Sequence, residues 1–349
     1  MSSAEGTTAA LRWLAVRSGL ALSFAIVLFA CMLAGSVLPA VGMSPSEQVD
    51  VTPYSGTILY LSRGDIWQID LATEQPRLFL DPGPGLVTHV AHSPDRSQLA
   101  YSVLHLSPTY QVLASEIVLA TSEGTGSRTV VREERPRLSV SWPAWSGDAA
   151  TLAYMVNNLV DGTQRVEQVD LVSLSRSLVV EGASSPTASA DGRWMAYAQQ
   201  VGRRWSIWSM DRSTGQRTQL VSEAWFEDAD VPSFSPDSSI VSFVAVGDGP
   251  AAGAGLSSLV ARVVAGLAPS AEAHDIEGAV FDLWGVRPDG SGLRRVAALA
   301  NEQPYVAWSP DGRHVAVWGG IGLQIVDAAS GALRVLRNPV GTGPISWGY

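Results

Sequence analysis

Five histidines, one cysteine and five aspartates in a recurring turn are the residues of this chain to test first for chemistry. The histidines are His89, His92, His105, His274 and His314, and no pair has the His-Glu-x-x-His spacing of a zinc protease. His89 and His92 sit where a strand enters a hairpin, and His89 can face a central channel if the strands form a ring. A metal there needs ligands converging from several elements, and the spacing supplies no such set. Cys31 is the one cysteine, so neither an intrachain disulfide nor a cysteine metal site can form. No Gly-x-Ser-x-Gly elbow is present. Gly247 to Gly255 is glycine-rich but has no strand–loop–helix frame, and reads as a flexible loop. No catalytic residue, cofactor or metal is therefore assigned.

The five aspartates are Asp95, Asp148, Asp191, Asp237 and Asp311. Such a series could suggest calcium. Each, however, lies in a Ser-x-Asp turn, as in Ser93-Pro94-Asp95 and Ser309-Pro310-Asp311-Gly312. In such turns Pro presets φ, Asp accepts from nearby backbone N–H groups and Gly takes positive φ. Turn capping thus accounts for all five without a ligand. Trp67, Trp208 and Trp284 recur at one strand position and read as core rather than as a substrate platform.

The elements that position these residues are short strands. Each turn is followed by an apolar run: Leu99-Ala100-Tyr101, Leu152-Ala153-Tyr154, Met195-Ala196-Tyr197, Val241-Ser242-Phe243 and Val315-Ala316-Val317. A second strand such as Ser206-Ile207-Trp208-Ser209 follows, then a turn and a fourth strand such as Arg217-Thr218-Gln219-Leu220. Four strands per unit make a propeller blade. The turn aspartates are 53, 43, 46 and 74 residues apart, so the last interval holds one blade plus an insertion near 247–277. Thr57 to Leu80 supplies three strands of a blade, and Ile345 to Tyr349 supplies the missing one. The expectation is an all-β, six-bladed propeller over 54–349, closed by the C-terminal strand.

The Trp-Ser-Pro-Asp-Gly copies, the Ile-Trp strands and Arg287-Pro288-Asp289-Gly290-Ser291-Gly292 resemble the WD-like repeats of TolB-type propellers. The resemblance spans residues 54–349 and implies the fold. TolB carries an α/β domain before its propeller, whereas here about 12 residues separate the propeller from an apolar segment, so the resemblance implies no partner.

That segment, residues 18–41, has no charge and is long enough to span about 30 Å of hydrocarbon. Arg12 and Arg17 precede it, while Glu47 and Asp50 follow. The positive-inside rule makes 1–17 a cytoplasmic tail, 18–41 one transmembrane signal anchor and 42–53 a linker to an extracytoplasmic propeller on a bacterial cell membrane. A cleaved signal peptide (Ala34 and Ser36 form a small-x-small site) and a lipobox-like Leu28-Phe29-Ala30-Cys31 are the other fates. The net charge of −10, with 23 basic residues that are all Arg and form no stripe, excludes nucleic acid as a partner.

Two features do not repeat. Trp225-Phe226-Glu227-Asp228-Ala229-Asp230 joins two blades and reads as a recognition loop of exposed aromatics beside acids. The alternative there is an aromatic tucked between blades. Within the insertion, Leu256, Leu259, Val260, Val263, Val264 and Leu267 have helical spacing, which predicts a short amphipathic helix over one face of the ring. Trp225, Phe226, Glu227, Asp228, Asp230, Leu256, Leu259 and Val263 are the candidate binding residues. The expected function is a membrane-anchored, non-catalytic binding or scaffold module for a protein or cell-envelope ligand. A propeller enzyme of hydrolase, lactonase or lyase type, with its site at the central channel, is the alternative.

Overall fold

The computed structural model describes residues 54–250 and 280–348, apart from positions 136, 203, 303, 337–340 and 342. Six four-stranded antiparallel sheets are arranged as blades. Blade 1 contains β1 (Thr57–Ser62), β2 (Asp65–Asp70) and β3 (Gln75–Leu80). Blade 2 contains β4 (Leu86–His92), β5 (Gln98–Leu106), β6 (Val112–Thr121) and β7 (Arg128–Glu133). Blade 3 contains β8 (Leu138–Trp145), β9 (Thr151–Asn158), β10 (Gln164–Asp170) and β11 (Arg176–Glu181). Blade 4 contains β12 (Ala183–Ala188), β13 (Trp194–Val201), β14 (Arg204–Asp211) and β15 (Arg217–Gln219). Blade 5 contains β16 (Asp228–Phe234), β17 (Val241–Val246), β18 (Phe281–Val286) and β19 (Arg294–Asn301). Blade 6 contains β20 (Tyr305–Trp308), β21 (His314–Gly319), β22 (Gly322–Asp327) and β23 (Leu333–Val335). The inner strand of blade 1 is β24 (Ser346–Gly348), which pairs with β1 and closes the ring from the other end of the chain.

Each blade buries both faces, so its second strand is apolar at almost every position. In β1, Ile58 and Tyr60 pack towards blade 6, while Leu59 and Leu61 pack towards blade 2. Six core clusters result, one for each gap between neighbouring blades. The recurring tryptophans contribute to them in register with an aromatic on the preceding strand: Tyr60 opposite Trp67, Tyr197 opposite Trp208, and Phe243 opposite Trp284. Such cross-strand aromatic pairs stabilise a sheet beyond their area burial.

The aspartate turns repeat in atomic detail. In all five, the serine hydroxyl donates to the aspartate at 2.5–2.6 Å. The backbone N–H two residues after the aspartate donates to its carboxylate at 3.0–3.1 Å. The serine oxygen accepts the N–H that opens the next strand, at 2.8–3.0 Å. These contacts hold Asp95, Asp148 and Asp237 below the usual carboxylate range, the serine hydroxyl contributing most.

Meander topology sorts the loops. The turns from first to second and from third to fourth strand lie on one face of the ring, here the turn face. The blade-to-blade connections and the loops from second to third strand lie on the other, the connection face. The described chain enters at the turn face, because Thr57 opens β1 opposite Gly348 at the end of β24. Tyr54 packs there edge-on to His314, 5.0 Å between ring centroids. The interval between β17 and β18 opens on the connection face. The segment with Leu256, Leu259 and Val263 lies outside the described residues, as does the apolar segment 18–41. Among the described residues no helix is long and apolar enough to cross a membrane.

Candidate functional site

The inner strands carry the least repetitive residues of the ring. Four positions before the turn serine stand His89, Trp142, Ser185, Val231 and Tyr305, one on each of blades 2 to 6. On blades 3, 4 and 5 the next residue is proline: Pro143, Pro186 and Pro232. Proline has no N–H to give the ladder. The pairing accordingly skips Trp142-Pro143, Ser185-Pro186 and Val231-Pro232, and each dipeptide forms a β-bulge. The residue before each proline takes a left-handed backbone, with φ of 57° at Trp142, 49° at Ser185 and 54° at Val231. That conformation costs roughly 1–2 kcal/mol for a residue with a side chain, and more concern attaches to a β-branched one. Bulges re-aim side chains, and here they do so at the ring centre.

The result is an aromatic bridge. The rings of His89 and Trp142 lie 4.3 Å apart, and those of Trp142 and Tyr305 lie 6.0 Å apart. Blades 3 and 6 are opposite members of a six-fold ring, so the indole of Trp142 spans the channel. Burial lowers the His89 pKa to about 3, so its imidazole is neutral at physiological pH.

Acid fills the other side. Asp230 accepts the Val231 N–H at 2.7 Å and is further stabilised by the Ser185 hydroxyl. Burial still raises its pKa. Burial, then the charge of Asp230, raises the phenol of Tyr305 on the neighbouring blade. Asp228 lies two residues before Asp230 on β16, nearer the connection face, and its Oδ1 is buried with no hydrogen-bond partner among the described residues. Burial first, and the neighbouring Asp230 second, push it up to about 7. Among the described residues, no three His, Cys, Asp or Glu side chains are grouped to hold a metal ion.

The blade 4–5 connection divides. Trp225 is 39% exposed and Glu227 is exposed on the connection face. Phe226 corrects the expectation of an exposed aromatic, since it is 2% exposed. It packs edge-on to Trp284 at 4.9 Å and to Phe243 at 5.9 Å. The tucked reading holds for it, because the inter-blade gap there offers a fully apolar pocket. Asp228 and Asp230 belong to the strand and the channel rather than to the loop. Sequence reasoning missed Trp142, Ser185 and Tyr305. Their signal was present as unlike residues at one register of an otherwise regular repeat, three of five followed by proline.

No protein-family model matches the sequence, and no curated protein matches it. Solved structures do. TolB from Acinetobacter baumannii superposes with a TM-score of 0.58 at 16% identity, over 85% of this chain and 67% of that one. A structure named as TolB from Agrobacterium tumefaciens gives 0.55 at 18% identity, over 74% and 83%. A chain of a nidogen/laminin complex gives 0.59 at 11% identity, over 84% and 99%. The shared feature is the fold. This chain is a TolB-like six-bladed propeller and not TolB itself, and its identity to these neighbours is too low for more than the fold to transfer.

Proposed function

We propose that the chain is a non-catalytic binding module, tethered to a membrane by residues 18–41 and displaying its propeller on the extracytoplasmic side. The observation that carries this reading is the aromatic bridge: Trp142 and Tyr305 occupy the ring centre, where a channel enzyme would seat its reacting groups. Propellers that bind do so over their faces and loops, which rigid blades hold in place. The tether reading gives the molecule an orientation. The chain enters at the turn face. A linker over 42–53 reaches about 40 Å when extended, at ~3.3–3.6 Å per residue. The tether is thus attached on the turn face, and the connection face lies on the opposite side of the ring.

A second reading has one observation behind it. Asp228, near pKa 7 beside Asp230, has the proton affinity of a general acid or base. Screening the purified full chain for ester, lactone and glycan turnover, alongside Asp228→Asn, separates the two. The binding reading predicts no turnover above that of the variant. Turnover lost in the variant would establish the enzyme.

A further inference from the structure

The residue before each turn serine stands at a gap between blades, and in two blades it reaches back across that gap. Trp145 and Trp308 each donate an indole N–H to a carbonyl of the preceding blade, that of Ala91 at 3.2 Å and that of Ser233 at 3.3 Å. Blades 4 and 5 carry Ala188 and Phe234 at this position. Blade 2 carries a titratable group there, His92. The blade it reaches is blade 1, whose inner strand comes from the other end of the chain. Ser346 of that strand pairs with Leu59 as Ala91 pairs with Ala100. His92 therefore meets Ser346 at the register where the two tryptophans make their bonds.

The contact differs in kind from the other two. The Ser346 hydroxyl accepts the His92 N–H at 3.2 Å, which leaves its own proton for Nδ1 at 2.7 Å. That arrangement needs a neutral ring. A protonated ring carries a hydrogen on Nδ1 and turns the hydroxyl proton away. The groups packed around His92 do not compensate a positive charge. Arg96, in the same turn, donates to the Trp347 carbonyl, and Asp95 beside it accepts from Ser93 and Ser97. From blade 1, Gln68 is held by Arg77, while Tyr60 packs towards blade 6. Tyr101 in the gap bonds Ser127 at 3.1 Å. Neither β24 nor β8 of the next blade has a titratable side chain. A cleft of about 240 Å³ between blades 1 and 2 is lined by His92 with Gln68, Phe79, Arg96 and Ser122, and gives the imidazole a route to solvent protons. Burial first, and Arg96 second, hold its pKa well below the ordinary histidine value.

β24 is a short strand, Ser346–Gly348, and its ladder among the described residues is to β1. His92 and Arg96 are its polar ties to blade 2. We propose that His92 makes this seam an acid-sensitive latch, in which protonation of the imidazole frees β24 from blades 1 and 2 while the other five blades stay closed. The freed blade presents the edge of β1, a row of unpaired N–H and C=O groups, to a strand from elsewhere.

The test follows amide exchange in the full chain in detergent, each rate divided by that of an unstructured amide at the same pH. The imidazole titrates near its ordinary value of ~6.5 only when the strand is released, so the opening constant of β24 is expected to rise about tenfold between about pH 7.5 and about pH 5.5. That of β13 in blade 4 is expected to stay level. His92→Gln keeps a side chain able to bond Ser346 and does not titrate. His92→Trp installs the indole that two other gaps use. Both are expected to make β24 level with pH; protection of β13 reports that each variant is folded, and either one suffices. A level response in the unaltered chain would overturn the latch. A rise shared equally by β24 and β13 is loss of the whole fold and overturns it too. So does a rise that survives the folded variants, as titration of His314 beside Tyr54 would give.

Discussion

His92 shows how a single side chain ties the ring together. It closes β4, its Nδ1 lies 2.7 Å from the Ser346 hydroxyl of β24, and that hydroxyl also accepts the His92 N–H at 3.2 Å. Burial, with Arg96 nearby, lowers its pKa to about 3. The folded state thus keeps His92 neutral, whereas the unfolded chain takes a proton below about pH 6.5. Its contribution to stability is complete above that value and is lost as pH falls from 6.5 towards 3. Urea unfolding at successive pH values should show His92→Gln reducing the slope by about one proton, or ~1.4 kcal/mol per pH unit. Asp228 has the opposite sign. It stays protonated in the folded state up to about 7, so its contribution is complete below the unfolded value of 3.8 and is lost as pH rises through 7. Asp228→Asn is therefore expected to stabilise the chain at about pH 8 and to change little at about pH 4, read from the same titrations. The turn serines act at this scale too. Ser309→Ala removes a donor to Asp311 and an acceptor for the His314 N–H, and should lower the unfolding free energy by about 1–3 kcal/mol.

At the scale of elements, much of the blade was legible in the residues. Ser-x-Asp turns followed by apolar triplets gave the strand order, because turn chemistry and period-two burial are local properties. The tryptophan register was readable for the same reason. The channel was not, since it is built from one residue per blade and from backbone that departs from the strand geometry the pattern assumes. Val231 illustrates this. A β-branched residue in a strand pattern promises an extended backbone, yet Pro232 offers the ladder no N–H, and in the bulge it shares with Pro232, Val231 is left-handed. Pro232→Ala restores the missing N–H. It is expected to shift the pairing of β16 with β17 and to displace Asp230 from Ser185, which amide exchange at Val231 and Ser233 would report. The ring closure was legible from the likeness of the chain's last strand to the others, and its energetics follow from burial. Trp347 is 2% exposed in the core between blades 6 and 1. Trp347→Ala should cost about 3–5 kcal/mol of stability in urea unfolding.

For the whole molecule, the separation of two chemically distinct faces matters most. Net charge gave no hint of it, because the acids are numerous on both. What differs is that the repeated Ser-x-Asp turns occupy one face and the unlike blade-to-blade connections the other, and only the sheet topology tells that. The same limit applied to Phe226 and Glu227, neighbours in sequence that part into core and rim. The connection face is the one opposite the proposed tether, where a partner can reach it. The most direct test places a photo-crosslinking residue singly at Tyr110, Val160, Trp225 or Ile321 on the connection face and at Val172 on the turn face, in the full chain in intact cells. One protein partner crosslinked from the connection-face positions, and not from Val172, is the predicted result. The same partner captured at Val172 and at none of the connection-face positions would contradict it.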